Sequence, residues 1–138
     1  MADISSYRDQ KIEIQGLTDQ TFTVTPGELA RMKKTEVSYE VPGEDAEPAE
    51  AIGPTLDTFV KKYGHSLDEF RIVKCYTKKD TSYAYVNTLE KNTLILSVAD
   101  GDQALDEEEP PLTVAVTGKQ NTGIWTKGVV KIVFTKRS

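Results

Sequence analysis

At 138 residues the chain suits one domain and is long enough to bury a real core; with 38% hydrophobic and 28% charged residues it is globular, not disordered. No apolar run approaches the ~18 residues of a membrane helix, and the amino terminus lacks the basic-then-apolar pattern of a signal peptide. A net charge of -5 argues against a general nucleic-acid binder, and a single cysteine excludes an internal disulfide, so synthesis and folding in a reducing cytoplasm are expected.

Residues 1–9 show no periodicity and read as an amino-terminal arm that needs something to hold it, leaving 10–138 as a single β-rich domain. Ile12 and Ile14 alternate with charged neighbours, Phe22 and Val24 with threonines, and the polar stretch from Gly16 to Gln20 between them predicts a hairpin. Thr25-Pro26-Gly27-Glu28 then has the form of a capping box with proline at the first helical position, which predicts a short helix. Val37, Tyr39 and Val41 alternate with polar residues as a strand with one wet face.

Residues 42–54, rich in acid, proline and glycine, read as a long loop with little to bury. Leu56, Phe59, Val60 and Tyr63 follow at i, i+3, i+4 and i+7, so a helix is predicted from Pro54 and Thr55 to Gly64. Beyond Asp68, strands are predicted around 70–77, 83–86, 94–98, 112–116 and 129–135, with a second acidic loop at 100–111. Strands in such number, with turn residues between them, predict a mainly β fold: an antiparallel β-sandwich or barrel with one or two short helices.

Chemistry is sparse. His65 follows the glycine that ends the predicted helix, where an imidazolium suits the helix dipole, and Cys75 falls inside a strand pattern, as a packing thiol does. No nucleophile elbow, phosphate loop, dinucleotide fingerprint or zinc spacing occurs, so no cofactor is expected and no enzyme of a standard class is indicated. Asp100, Asp102 and Asp106 offer hard oxygens to calcium, but the spacing departs from an EF-hand and a plain acidic turn is the simpler reading. Tyr76, Tyr83, Tyr85 and Trp125 supply aromatic faces, with sheet packing their commoner use. Trp125, in a loop-like setting between Gly123 and Gly128, suits an interface anchor.

Charge is unevenly spread. Residues 119–138 hold five of the 17 basic residues and none of the 22 acids, so the residues before them carry 22 acids against 12 bases. A basic last strand beside acidic loops suits contact with another copy or with an acidic partner surface. Together with the arm, this predicts a non-enzymatic assembly protein, a homo-oligomer that joins a larger shell through Ile4, Tyr7, Trp125, Lys127, Lys136 and Arg137. In general style, across the whole chain, it resembles small phage capsid decoration or cement proteins. That resemblance implies incorporation into a virion, a major capsid protein as partner, and no nucleic-acid or membrane binding. A β-sandwich module binding carbohydrate or another ligand through Tyr83, Tyr85 and Trp125 is the alternative, and a small hydrolase or isomerase using acidic residues stands last.

Overall fold

A computed structural model of the chain describes residues 3–32, 35–40, 48–79, 82–84, 93–101, 103–105, 110–117 and 124–136. Twelve strands and two short helices lie among them, and the protein is mainly β. β1 (Ile12–Gln15) and β2 (Phe22–Val24) form the expected antiparallel hairpin. They join β5 (Phe70–Thr77), β6 (Ser82–Ala84) and β12 (Val129–Lys136) in a five-stranded sheet of order β2-β1-β12-β5-β6. β1 runs parallel to β12, whereas the other pairs are antiparallel, so this sheet is mixed and not wholly antiparallel as expected. Local alternation encodes which face a residue takes, not which distant strand it meets or in which direction.

β7 (Thr93–Ser97), β10 (Thr113–Thr117) and β11 (Ile124–Thr126) make a three-stranded antiparallel sheet. β3 (Thr35–Glu40), β4 (Pro48–Gly53), β8 (Ala99–Asp100) and β9 (Gln103–Ala104) make a four-stranded one. Among the described residues none of the three sheets closes into a barrel. Two of the predicted loops therefore contain strands. β4 occupies the end of 42–54, because its backbone pairs with β3 on one side and β8 on the other despite an acidic, proline-containing sequence. Within 100–111, β8 and β9 pair as an antiparallel hairpin, and Gly101, directly after β8, stands at φ 58, a conformation glycine adopts without strain.

Both helices start as the sequence predicts. In α1 (Pro26–Ala30) the Thr25 hydroxyl accepts from the Glu28 N–H at 3.2 Å. In α2 (Leu56–Lys62) the Thr55 hydroxyl accepts from the Thr58 N–H at 3.1 Å. Gly64, at φ 81, ends α2 by donating to Lys61 O, and His65 N–H donates to Val60 O, which satisfies carbonyls the last turn leaves open.

The main core gathers Ile12, Ile14 and Val24 from the hairpin, Leu29 from α1, Leu56, Phe59 and Val60 from α2, and Val73, Cys75, Ile132 and Phe134 from the sheet's inner face. Leu94, Leu96 and Val114 of the three-stranded sheet complete it. The opposite face of that sheet is buried too, since Ile95 and Ala115 meet Ala51 of β4 in a second cluster. β7 thus lies between two cores. It also touches β4 by backbone: Val98 N–H donates to Ile52 O and Leu96 N–H to Pro54 O, each at 2.9 Å, and Ile52 N–H donates to the buried Ser97 hydroxyl. The strands come so close at Gly53 that a Cβ there would stand 1.9 Å from Leu96 O.

That approach makes a specific prediction. In Gly53→Ala the added methyl meets backbone on a strand buried on both faces, so β4 and β7 must part, at a cost of roughly 1–3 kcal/mol or more. Urea unfolding measures it; an unchanged midpoint would show that the two strands are not in this contact.

Candidate functional surface

The outer face of the five-stranded sheet is set by the strand period. Residues alternate with the core side chains, which places Glu13 and Gln15 of β1, Lys131 and Val133 of β12, and Ile72, Lys74 and Tyr76 of β5 on it, all half-buried. Register lines them up in rows across the sheet. Glu13 faces Lys131, which faces Tyr76; Gln15 faces Val133, which faces Lys74. In the first row Lys131 Nζ lies 3.7 Å from Glu13 Oε2 and 5.3 Å from the centre of the Tyr76 ring, so an ion pair and a cation–π contact share one ammonium. Lys131, counted in sequence as part of a basic strand, is therefore balanced within the domain.

The residues expected at an interface scatter. Tyr7 is 2% exposed. Its hydroxyl donates to Val98 O at 2.6 Å and accepts from Leu105 N–H at 2.9 Å, tying the amino-terminal segment to the end of β7 and to the residue after β9. Gly27 N–H donates to Arg8 O, a second tie from the same segment to α1. This differs from the arm expected for residues 1–9, and Tyr7 serves the chain's own fold. Ile4 is half-buried. Trp125 stands in β11 opposite Ala115, where a loop was expected. Lys127 and Lys136 are exposed, and Arg137 lies outside the described residues. Eight residues of strand and turn lie between the two lysines, about 30 Å of extended chain.

The groups considered for chemistry are committed elsewhere. Cys75 is fully buried on the core face, and burial pushes its thiol up to about 12, far from the thiolate a nucleophile needs. His65 Nδ1 lies 3.1 Å from Glu69 Oε1, and its ring is near Phe70, the first residue of β5. Cys75 is five residues further along that strand, about 17 Å away, so the two form no dyad. The Ser66 backbone N–H, then the His65 side chain, and more weakly the charge of Lys136, hold the Glu69 carboxyl below its usual range. Asp100 belongs to the β8–β9 hairpin; Asp102 and Asp106 lie outside the described residues. Among the described residues no group of three or more His, Cys, Asp or Glu gathers for a metal. Of the aromatics considered for a ligand, Tyr83 is on β6, at the edge of the five-stranded sheet, and Trp125 on β11, at the edge of the three-stranded one; Tyr85 lies outside the described residues. No helix among the described residues is long and apolar enough to cross a membrane.

One juxtaposition escaped the sequence. Register sets Val129 beside Thr77, so the turn carrying Lys78 and Lys79 leaves β5 where the turn carrying Lys127 enters β12. All three lysines are exposed. The signal was the Lys78-Lys79 pair, but its neighbour is 48 positions further on and visible only once β5 and β12 are paired.

Compared with known proteins, the chain matches no family model and no curated protein. Among solved structures it is similar to a chain of the sulfane dehydrogenase SoxCD from Paracoccus pantotrophus, with a TM-score of 0.71 and 16% identity. The match covers 94% of this chain and 39% of that one, so the present chain spans well under half of its neighbour's length. The likeness is one of fold. Folds host many functions, and this one leaves the choice between enzyme and binding protein to the residues.

Two outcomes are expected. Tyr7→Phe strips the partner from Leu105 N–H and Val98 O inside the fold, and should lower stability by roughly 1–3 kcal/mol in chemical denaturation. Cys75 should resist alkylation at pH 8 unless the protein unfolds. Because the folded state holds the thiol proton more tightly than the unfolded chain, its contribution is whole below about pH 9 and is lost as pH rises toward 12. The stability difference between wild type and Cys75→Ala should therefore change between pH 8 and pH 11; a constant difference with fast alkylation would show an accessible thiol.

Proposed function

We propose that this chain is a non-enzymatic assembly protein, a homo-oligomer that also binds a larger protein structure. The observation that carries the reading is the outer face of the five-stranded sheet. Ile72, Tyr76 and Val133 are set there, half-buried, among Lys74, Lys131, Glu13 and Gln15. Apolar groups ringed by charge suit a protein partner, whose surface can match both. The commitment of Cys75 to the core and of His65 to Glu69 supports the non-enzymatic part. The reading does not rest on the amino-terminal segment, which Tyr7 ties to the domain.

In its sharpest form the larger structure is a phage capsid and the chain a decoration subunit, a version that the style of the sequence alone supports. The five- and three-stranded sheets, sharing one core with α2, are read as an open sandwich whose outer side, on the five-stranded sheet, is the contact face. Sedimentation velocity over a wide concentration range tests the assembly reading. Wild type should sediment as a multimer, and charge placed on the face, as in Ile72→Glu with Val133→Glu, should yield a folded monomer. A wild type that stays monomeric at high micromolar concentration would sink self-assembly.

A further inference from the structure

We propose that the outer edge of β2 pairs antiparallel with β2 of a second copy of this chain, about a two-fold axis at Thr23, so that two five-stranded sheets become one. The proposal rests on the assembly reading above: the outer face holds copies in pairs, and this edge joins pairs to one another.

Among the described residues β2 pairs with β1 alone, which leaves a row of backbone N–H and C=O groups on its other side. Thr21 and Thr23 are exposed. From Gln20 to Thr25 the chain has no charge and no proline, two of the devices that blunt a sheet edge. The edge strands β6 and β11 are uncharged too, so this feature alone does not choose between them. A line of rings favours β2. Phe59 is fully buried in the core; Tyr63, at the end of α2, lies 5.2 Å from it, and Phe22 of β2 lies 4.8 Å from Tyr63. Tyr63 and Phe22 are only half-buried. The aromatic layer of the core thus runs out to the last strand and ends there partly in water, where one more strand would cover it.

Register identifies the strand that fits. Phe22 and Val24 stand beside Ile14 and Ile12 on the core face, and Thr23 stands beside Glu13 on the outer face. With the axis at Thr23, this threonine meets its own copy and Phe22 meets Val24, an aromatic–β-branched pair of the kind that stabilises sheets. No charge meets a like charge, as an isologous contact of one strand with itself requires. β3 shows the contrast: turned about Ser38, it would set Glu36 against Glu40. The join also carries the outer-face row of Tyr76, Lys131, Glu13 and Thr23 on into the second sheet. Three residues of strand span only about 10 Å, and so short a contact falls below the roughly 1,200–2,000 Å² of a stable interface. The edge is therefore secondary, effective once the outer faces have paired and each pair presents two such edges.

Sedimentation velocity tests this on wild type, Thr23→Lys, Thr23→Glu and an equimolar mixture of the two variants, with circular dichroism to confirm folding. Wild type should exceed a dimer. Either variant alone sets like charges on the axis and should stop at the dimer, its further association at least tenfold weaker. The mixture opposes lysine to glutamate and should recover the wild-type size. Oxidation of Thr23→Cys checks the axis directly, because directly opposed residues of antiparallel strands have Cα atoms about 4.5–5.5 Å apart, within disulfide range. That variant should crosslink two chains, whereas Thr21→Cys, off the axis, should not; Cys75 is buried and takes no part. A wild type that stays a dimer, unchanged by charge at position 23, overturns the edge contact and leaves the assembly reading standing. A wild type monomeric at every concentration overturns both. Larger assemblies that neither variant reduces, or equal crosslinking of Thr23→Cys and Thr21→Cys, also overturn the proposal.

Discussion

The passage of β4 over β7 at Gly53 fixes the relation of the three sheets. Leu96 has its side chain in the main core, its N–H on Pro54 O and its carbonyl against the Gly53 backbone. One residue along, Ile95 turns to the second cluster with Ala51 and Ala115. Two strands can share so short a distance only where one of them carries no side chain, and the sequence supplies glycine at that position and proline directly after it. Thr55 then caps α2, whose buried face packs into the core that Leu96 has entered. A residue chosen for close approach thus orders the four-stranded sheet, the three-stranded sheet and the principal helix in a run of six positions.

Much of this was legible in the sequence, and the exceptions share a cause. β5 and β12 announce themselves by β-branched and aromatic residues, and both helices by threonine caps and, for α2, a terminal glycine. These are local signals with local causes. β4 reads as loop because its composition is acidic and contains proline, yet it forms since β3 and β8 flank it. β11 is three residues long, too brief for alternation to be seen. The anchoring of Tyr7 has no periodic signature at all: a single aromatic among polar residues looks the same whether its hydroxyl reaches water or Val98 O. The parallel pairing of β1 with β12 lies likewise beyond any window of sequence.

The candidate surface was legible in a different sense. Segregation of charge along the chain suggested that the basic last strand was the sticky element, whereas the fold distributes those charges. Lys131 is paired with Glu13, Lys136 sits by Glu69, and Lys127 finds neighbours from another strand. Composition reports how many charges there are; only register says which of them share a surface.

Because β12 stands between β1 and β5, the sheet that carries most of the main core has no centre until Val129–Lys136 is in place. Such pairing across nearly the whole length of the chain is slow to find, since loop closure is paid before the contacts reward it. On the ribosome this means that the hairpin, α2 and β5 must wait, solvent-exposed, until β12 has left the exit tunnel. A message cut short before that point yields a product with an open sheet edge on each side of the gap, which invites quality-control proteolysis or chaperone capture in place of a smaller working domain.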